Sequence, residues 1–199
     1  MTKRPTEVDD VQRMTKRGVQ WLSAVAENPE LCRKSWADDL RRPYPFPVGV
    51  AFEVVATDQR LGVEVFDQLE RRNMPVGPVM ADRGSHQVGF FLPLNSRDRF
   101  ARLISRETDT PPAYRYLDRD SYVVVPGPIP MANDRYQWLR APNRFPENSP
   151  LRTTSLAVML VASAALLDRA DHYGEHCADI QTRTGGATET RKRVTGRAE

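Results

Sequence analysis

The sequence predicts an α/β (α+β) fold: a single domain with a mixed, largely antiparallel sheet, N-terminal helices and a long C-terminal helix. Apolar residues recur at helical spacing near the N-terminus, at 61–72, at 96–107 and from about 151 to 173. Between them lie short β-branched and aromatic runs, AFEVVA, VGPVMA, QVGFFL, SYVVVP and RYQWL. The 199 residues, 40% hydrophobic and 28% charged, fit one soluble globular domain.

In chain order, Val8, Val11, Met14, Gly18, Trp21, Leu22 and Val25 mark a first helix. Asn28-Pro29 reads as the cap and first position of a second, with Cys32, Trp36 and Leu40 on one face. RRPYPFP at 41–47 is a proline-interrupted, extended connector. A strand at 51–56 precedes the 61–72 helix, which buries Val65, Phe66 and Leu69. VGPVMA and QVGFFL form a strand pair joined by ADRGSH, with Gly84 available for the turn. The 96–107 helix turns Phe100, Leu103 and Ile104 inward and aligns Arg99, Arg102 and Arg106 on its outer face. SYVVVP and RYQWL are the last strands. The organisation expected is 1–47 for helices and connector, 48–174 for the α/β domain, and 175–199 for a disordered basic tail.

Several chemistries are absent. There is no Gly-x-Gly-x-x-Gly, Walker-type Gly-Lys-Ser/Thr, Gly-x-Ser-x-Gly or Cys-x-x-Cys. Cys32 and Cys177 read as reduced thiols. The N-terminus has no apolar signal region, and the run LAVMLVASAALL at 156–167 is short for a bilayer, so a cytoplasmic protein without a membrane partner is expected. His172 and His176, with Glu175 and Cys177 beside them, have zinc-ligand spacing but no second cluster to complete four ligands. The tail basics Arg191, Lys192 and Arg193 offer only non-specific attraction to nucleic acid.

Three segments taken in order carry a resemblance: FEVVATDQRLGVEVFDQL, then ADRGSHQVGFFLP, then YLDRDSYVVVPGPIPMANDRYQWL. Over roughly 48–168 the chain resembles the bifunctional DNA primase/polymerase N-terminal domain of the archaeo-eukaryotic primase superfamily. That resemblance implies an Asp-x-Asp strand, a histidine on a second strand and a third acidic residue, together holding Mg or Mn for nucleotidyl transfer. Register places Ala56 and Asp58 in the Asp-x-Asp slots. Counting back from Phe90-Phe91-Leu92-Pro93 puts Gly89 at the histidine position, with His86 three residues earlier in the turn. An ungapped count puts Arg115 at the third acid, whereas Asp118 or Asp120 needs a local shift. Glu53 is five residues from Asp58 and faces the other side of a regular strand.

Each candidate also has a plain structural role available. Asp58 suits an N-cap, His86 an exposed hairpin, and Asp118 and Asp120 a turn. Arg99, Arg102 and Arg106, with Tyr136 and Trp138, offer phosphate and stacking contacts, but equally a solvated helix face and a core strand.

The function expected is a catalytically degenerate primase/polymerase-like domain binding single-stranded nucleic acid or nucleotide, with no cofactor. One alternative is an active enzyme using Asp58, His86 and Asp118 around Mg or Mn, Asp58 as metal ligand; converging carboxylates would favour it. Another is a protein-interaction module docking a partner through RRPYPFP and PGPIP; an exposed patch around Phe46 and Ile129 would favour that.

Overall fold

The computed structural model describes residues 12–143 and 149–192, with side chains as far as Tyr173. Two helices, α1 (Lys16–Val25) and α2 (Pro29–Asp38), open the chain. Each has the cap its sequence advertises: Thr15 accepts from the Gly18 amide at 3.1 Å, and Asn28 from the Leu31 amide at 3.0 Å. The first helix is shorter than its apolar pattern, and the part of that pattern before residue 12 lies outside the described residues.

Five strands form the main sheet in the order β5 (Arg115–Leu117), β2 (Glu53–Asp58), β4 (Gln87–Leu92), β3 (Val79–Asp82) and β7 (Tyr136–Arg140). Every neighbouring pair is antiparallel. A separate ribbon pairs β1 (Tyr44–Pro47) with β6 (Tyr122–Val125). The proline-rich connector is therefore a strand, because a two-stranded ribbon leaves one edge that needs no amide donors. The hairpin β3–β4 forms as expected across Arg83, Gly84, Ser85 and His86.

Side-chain alternation divides the sheet into two cores. On one face Val55, Val79, Ala81, Val88 and Phe90 pack against α3 (Gln59–Arg71), α4 (Arg97–Glu107) and α5 (Pro150–Lys192). On the other, Val54, Met80, Phe91 and Trp138 pack against Trp21, Leu22, Cys32 and Trp36 of the N-terminal helices and Phe46, Val123 and Val125 of the ribbon. Burial pushes the free Cys32 thiol up to about 12, so it acts as core filling. At Gly62 an added Cβ would lie 2.4 Å from the Val88 Cβ, so the missing side chain lets α3 lie close on β4.

The last helix differs from expectation. Its backbone continues to Lys192, through 175–192 of the stretch read as a disordered tail, and 193–199 lie outside the described residues. Leu156, Ala157 and Leu160 bury its first turns against α3 and α4, and extension from a packed helix needs no new nucleus. Within Pro150–Tyr173 an 18-residue window has mean hydropathy 1.5, long and apolar enough to cross a membrane by length and composition, and a third of that window is buried in the fold.

One buried charge holds the layers in register. Glu53 is 6% exposed and faces the α3–α5 side. Its carboxylate accepts from the amides of Asn95 (2.9 Å) and Ser96 (3.0 Å), at the N-terminus of α4, and from the Tyr116 hydroxyl at 2.5 Å. Burial first, then that hydrogen bond, raises the Tyr116 phenol well above its ordinary range. Glu53→Gln puts an amide donor where only donors converge. It should cost on the order of 2–3 kcal/mol, read as a lower urea midpoint; an unchanged midpoint would remove this role from Glu53.

Candidate nucleotide cleft

Strand register turns the sequence comparison into geometry. Ala56 is directly opposite Gly89 on β4 and directly opposite Arg115 on β5. Gly89 in turn pairs with Met80, and Met80 with Trp138. Residues opposite one another across antiparallel strands share a face. Arg115, Ala56 and Gly89 therefore form one row across three strands, on the face away from α3–α5. The next row on this face, Asp58, Gln87, Asp82 and Tyr136, follows from the same pairings.

A cleft of about 320 Å³ opens over these rows. Val54, Ala56, Gly89, Met80 and Leu117 make an apolar floor, and Tyr122, Val123 and Val124 of β6 bring the ribbon over it. Tyr122 is 58% exposed. Arg115, Gln87, Ser85, Asp82 and Tyr136 supply the polar rim.

Two guanidinium groups behave differently here. Arg135 grips Asp82 with both arms, at 2.8 and 3.0 Å, and lies 4.9 Å from the Tyr136 ring centroid. That grip, opposed by burial and helped by Ser85, holds the Asp82 carboxyl at about 2, below the usual carboxylate range. Arg115 has only the Gln87 side-chain oxygen, at 3.4 Å, and makes no ion pair among the described residues.

The donor set does not fit a pair of divalent cations. Such ions need several carboxylate oxygens on one spot. The row offers a methyl group, a hydrogen and a fixed cation instead. Asp58 is an N-cap, its Oδ1 accepting from the Leu61 amide at 3.1 Å. Among the described residues no three His, Cys, Asp or Glu side chains converge.

The other expected site residues are dispersed. His86 is exposed in the hairpin turn, with φ 52°, and its carbonyl accepts from the Gln59 amide at 2.8 Å. Asp118 pairs with Arg97 of α4, and Asp120 occupies a left-handed turn position with φ 64°. The Arg99, Arg102 and Arg106 face does not border a groove with Tyr136 and Trp138. Helix α4 packs on the opposite side of the sheet, where Arg99 donates to the Thr154 hydroxyl at 3.0 Å. Trp138 is core, 2% exposed, and donates to the Gly127 carbonyl at 3.1 Å. Tyr136 alone of the five reaches the cleft.

Phe46 is fully buried, so it contributes nothing to an exposed patch. Ile129 lines a separate groove of about 950 Å³ with Leu40 and Met131, both exposed. His172 bonds the Asp168 carbonyl at 2.8 Å, while the side chains of Glu175, His176 and Cys177 lie outside those described. Sequence reasoning passed over Asp82 and Gln87. Their alternation on flanking strands was readable, but the ribbon that brings Tyr122 over the sheet was not.

The Asp82 shift has a definite sign. A carboxyl held lower in the folded state than in the unfolded one stabilises the fold above about pH 4, and that contribution is lost as pH falls toward about 2. Asp82→Asn should lose less stability than the wild type between about pH 4 and 2, by urea unfolding; parallel curves would show that the pair contributes nothing.

No curated protein and no solved structure matches the chain. Residues 1–151 match the family model for the bifunctional DNA primase/polymerase N-terminal domain, a span that takes in the N-terminal helices as well as the strands that carried the resemblance. The chain belongs to the Prim-Pol family.

Proposed function

We propose that this chain is a primase/polymerase-like domain without polymerase chemistry of its own, using the cleft to bind nucleic acid or nucleotide. The observation that carries the reading is the row Arg115–Ala56–Gly89, the positions at which an ungapped count against the family pattern expects acidic and histidine side chains, Asp118 or Asp120 reaching the third only by a local shift. Two-metal phosphoryl transfer needs ions that bridge the attacking and leaving oxygens. A single capping aspartate, Asp58, is a poor substitute for that ligand set.

The binding half of the reading draws on the cleft itself. Its volume is at the low end of small-molecule sites, with an apolar floor and a few polar groups at the rim. Tyrosine rings at its mouth suit a planar base, and arginine suits phosphate.

Three experiments test this. In primer extension with Mg²⁺ or Mn²⁺ the protein should give no product above the buffer control; product that disappears in Asp58→Asn would overturn the proposal. In fluorescence anisotropy a short single-stranded DNA should bind with salt-sensitive affinity and be displaced by ATP. The double variant A56D/R115D should also acquire Mn²⁺ binding, with a dissociation constant on the order of 0.1–1 mM, followed by loss of the free-Mn²⁺ electron paramagnetic resonance signal. The wild type should leave that signal unchanged.

A further inference from the structure

We infer that the cleft recognises phosphate without a metal, with the Arg115 guanidinium fixed where a cation-binding carboxylate would otherwise be. The ligand class is a nucleoside polyphosphate in its free, unchelated form. This inference rests on the reading of the cleft as a ligand site.

Arg115 is exposed at the cleft's edge, on the outermost strand of the sheet, directly beside Ala56. Its one described partner is the neutral Gln87 amide at 3.4 Å, which orients the group without neutralising it. The cleft's own carboxylate, Asp82, is held by both arms of Arg135 and so offers little repulsion to an anion. Asp58, on the same face, directs an oxygen to the α3 N-terminus. A guanidinium presents a planar fork of donors matched to two phosphate oxygens, and it carries its charge at every physiological pH.

Replacing carboxylate by guanidinium also reverses the role of added metal. A carboxylate site repels a bare phosphate and needs the cation between them. A guanidinium site attracts the bare phosphate, and Mg²⁺ chelated to the ligand cancels part of the charge that Arg115 would meet. Divalent ions should therefore weaken binding, the reverse of a metal-bridged complex. The apolar floor accommodates the base: Ala56 and Gly89 present almost no side chain, and a Cβ at Gly89 would already lie 3.3 Å from Val54.

The test is isothermal titration calorimetry of the full chain with ATP, pyrophosphate and adenosine, each in EDTA and in excess Mg²⁺. ATP and pyrophosphate should bind in EDTA, adenosine at least tenfold more weakly, and Mg²⁺ should lower the ATP affinity. Arg115→Asp should reduce ATP affinity in EDTA by roughly tenfold to a hundredfold, and Arg115→Lys by less. Arg115 is exposed on an edge strand, and unchanged thermal unfolding of both variants would separate binding from folding. ATP that binds only with Mg²⁺, or affinity in EDTA that is indifferent to Arg115→Asp, overturns the metal-free site and leaves the cleft a ligand site. Adenosine binding as well as ATP also overturns it. No binding by ATP, pyrophosphate or single-stranded DNA under any condition removes the cleft reading as well.

Discussion

The carboxylate of Glu53 decides which way β2 faces, and most of the structure follows from that. It is a buried charge, and burial of an ion is costly unless hydrogen bonds replace its water. Three do so: two amides at the start of α4 and the Tyr116 hydroxyl of β5. The start of α4 has no side-chain cap of its own. The hydroxyl of its N-cap residue, Ser96, is 2.9 Å from Thr153 of α5. One carboxylate thus joins β2, β5 and α4, and reaches α5 through Ser96. A slip of one residue would send Glu53 into the opposite core and bring Val54 and Ala56 to the helix side. The cleft exists because that slip is prohibited.

With parity fixed, the floor of the cleft is a matter of which small groups remain. Two carboxylates brought together without a cation repel each other, and one of them must take up a proton or move apart. A site that lacks one ligand therefore gains little from keeping the others. The row seen here is self-consistent in that sense. Ala56 and Gly89 are small and neutral, Asp58 has turned to capping α3, and the remaining position carries a cation.

Much of this was legible in the sequence because it depends on local rules. Asn28-Pro29 and Asp58 announced helix starts, Gly84 announced the hairpin, and a count back from Phe90 and Phe91 put Gly89 at the family's histidine position, which the register sets opposite Ala56. The less legible parts depend on long-range pairing. Strand β5 has three residues and pairs on one side alone, too short for an alternating pattern to stand out. Strand β1 contains two prolines and reads as a connector until β6 is beside it. Glu53 looked like a stray acid because its partners lie more than forty residues away. The arginine stripe of α4 was correctly placed on an exposed helix face, but sequence has no means of saying on which side of the sheet that helix packs.

The side on which α4 packs narrows the chemistry. The α4 arginines and the cleft are separated by the thickness of the sheet, so they do not form one continuous surface for a ligand. The cleft's own face carries one guanidinium with no carboxylate partner among the described residues, one committed to Asp82, and tyrosine rings. A guanidinium holds its proton too tightly to act as a general base, and it cannot bridge an attacking and a leaving oxygen as two metal ions do. What it can do is hold a phosphate in place. Among the described residues of that face the floor is apolar and no acids converge, and the proposed metal-free phosphate site rests on that geometry.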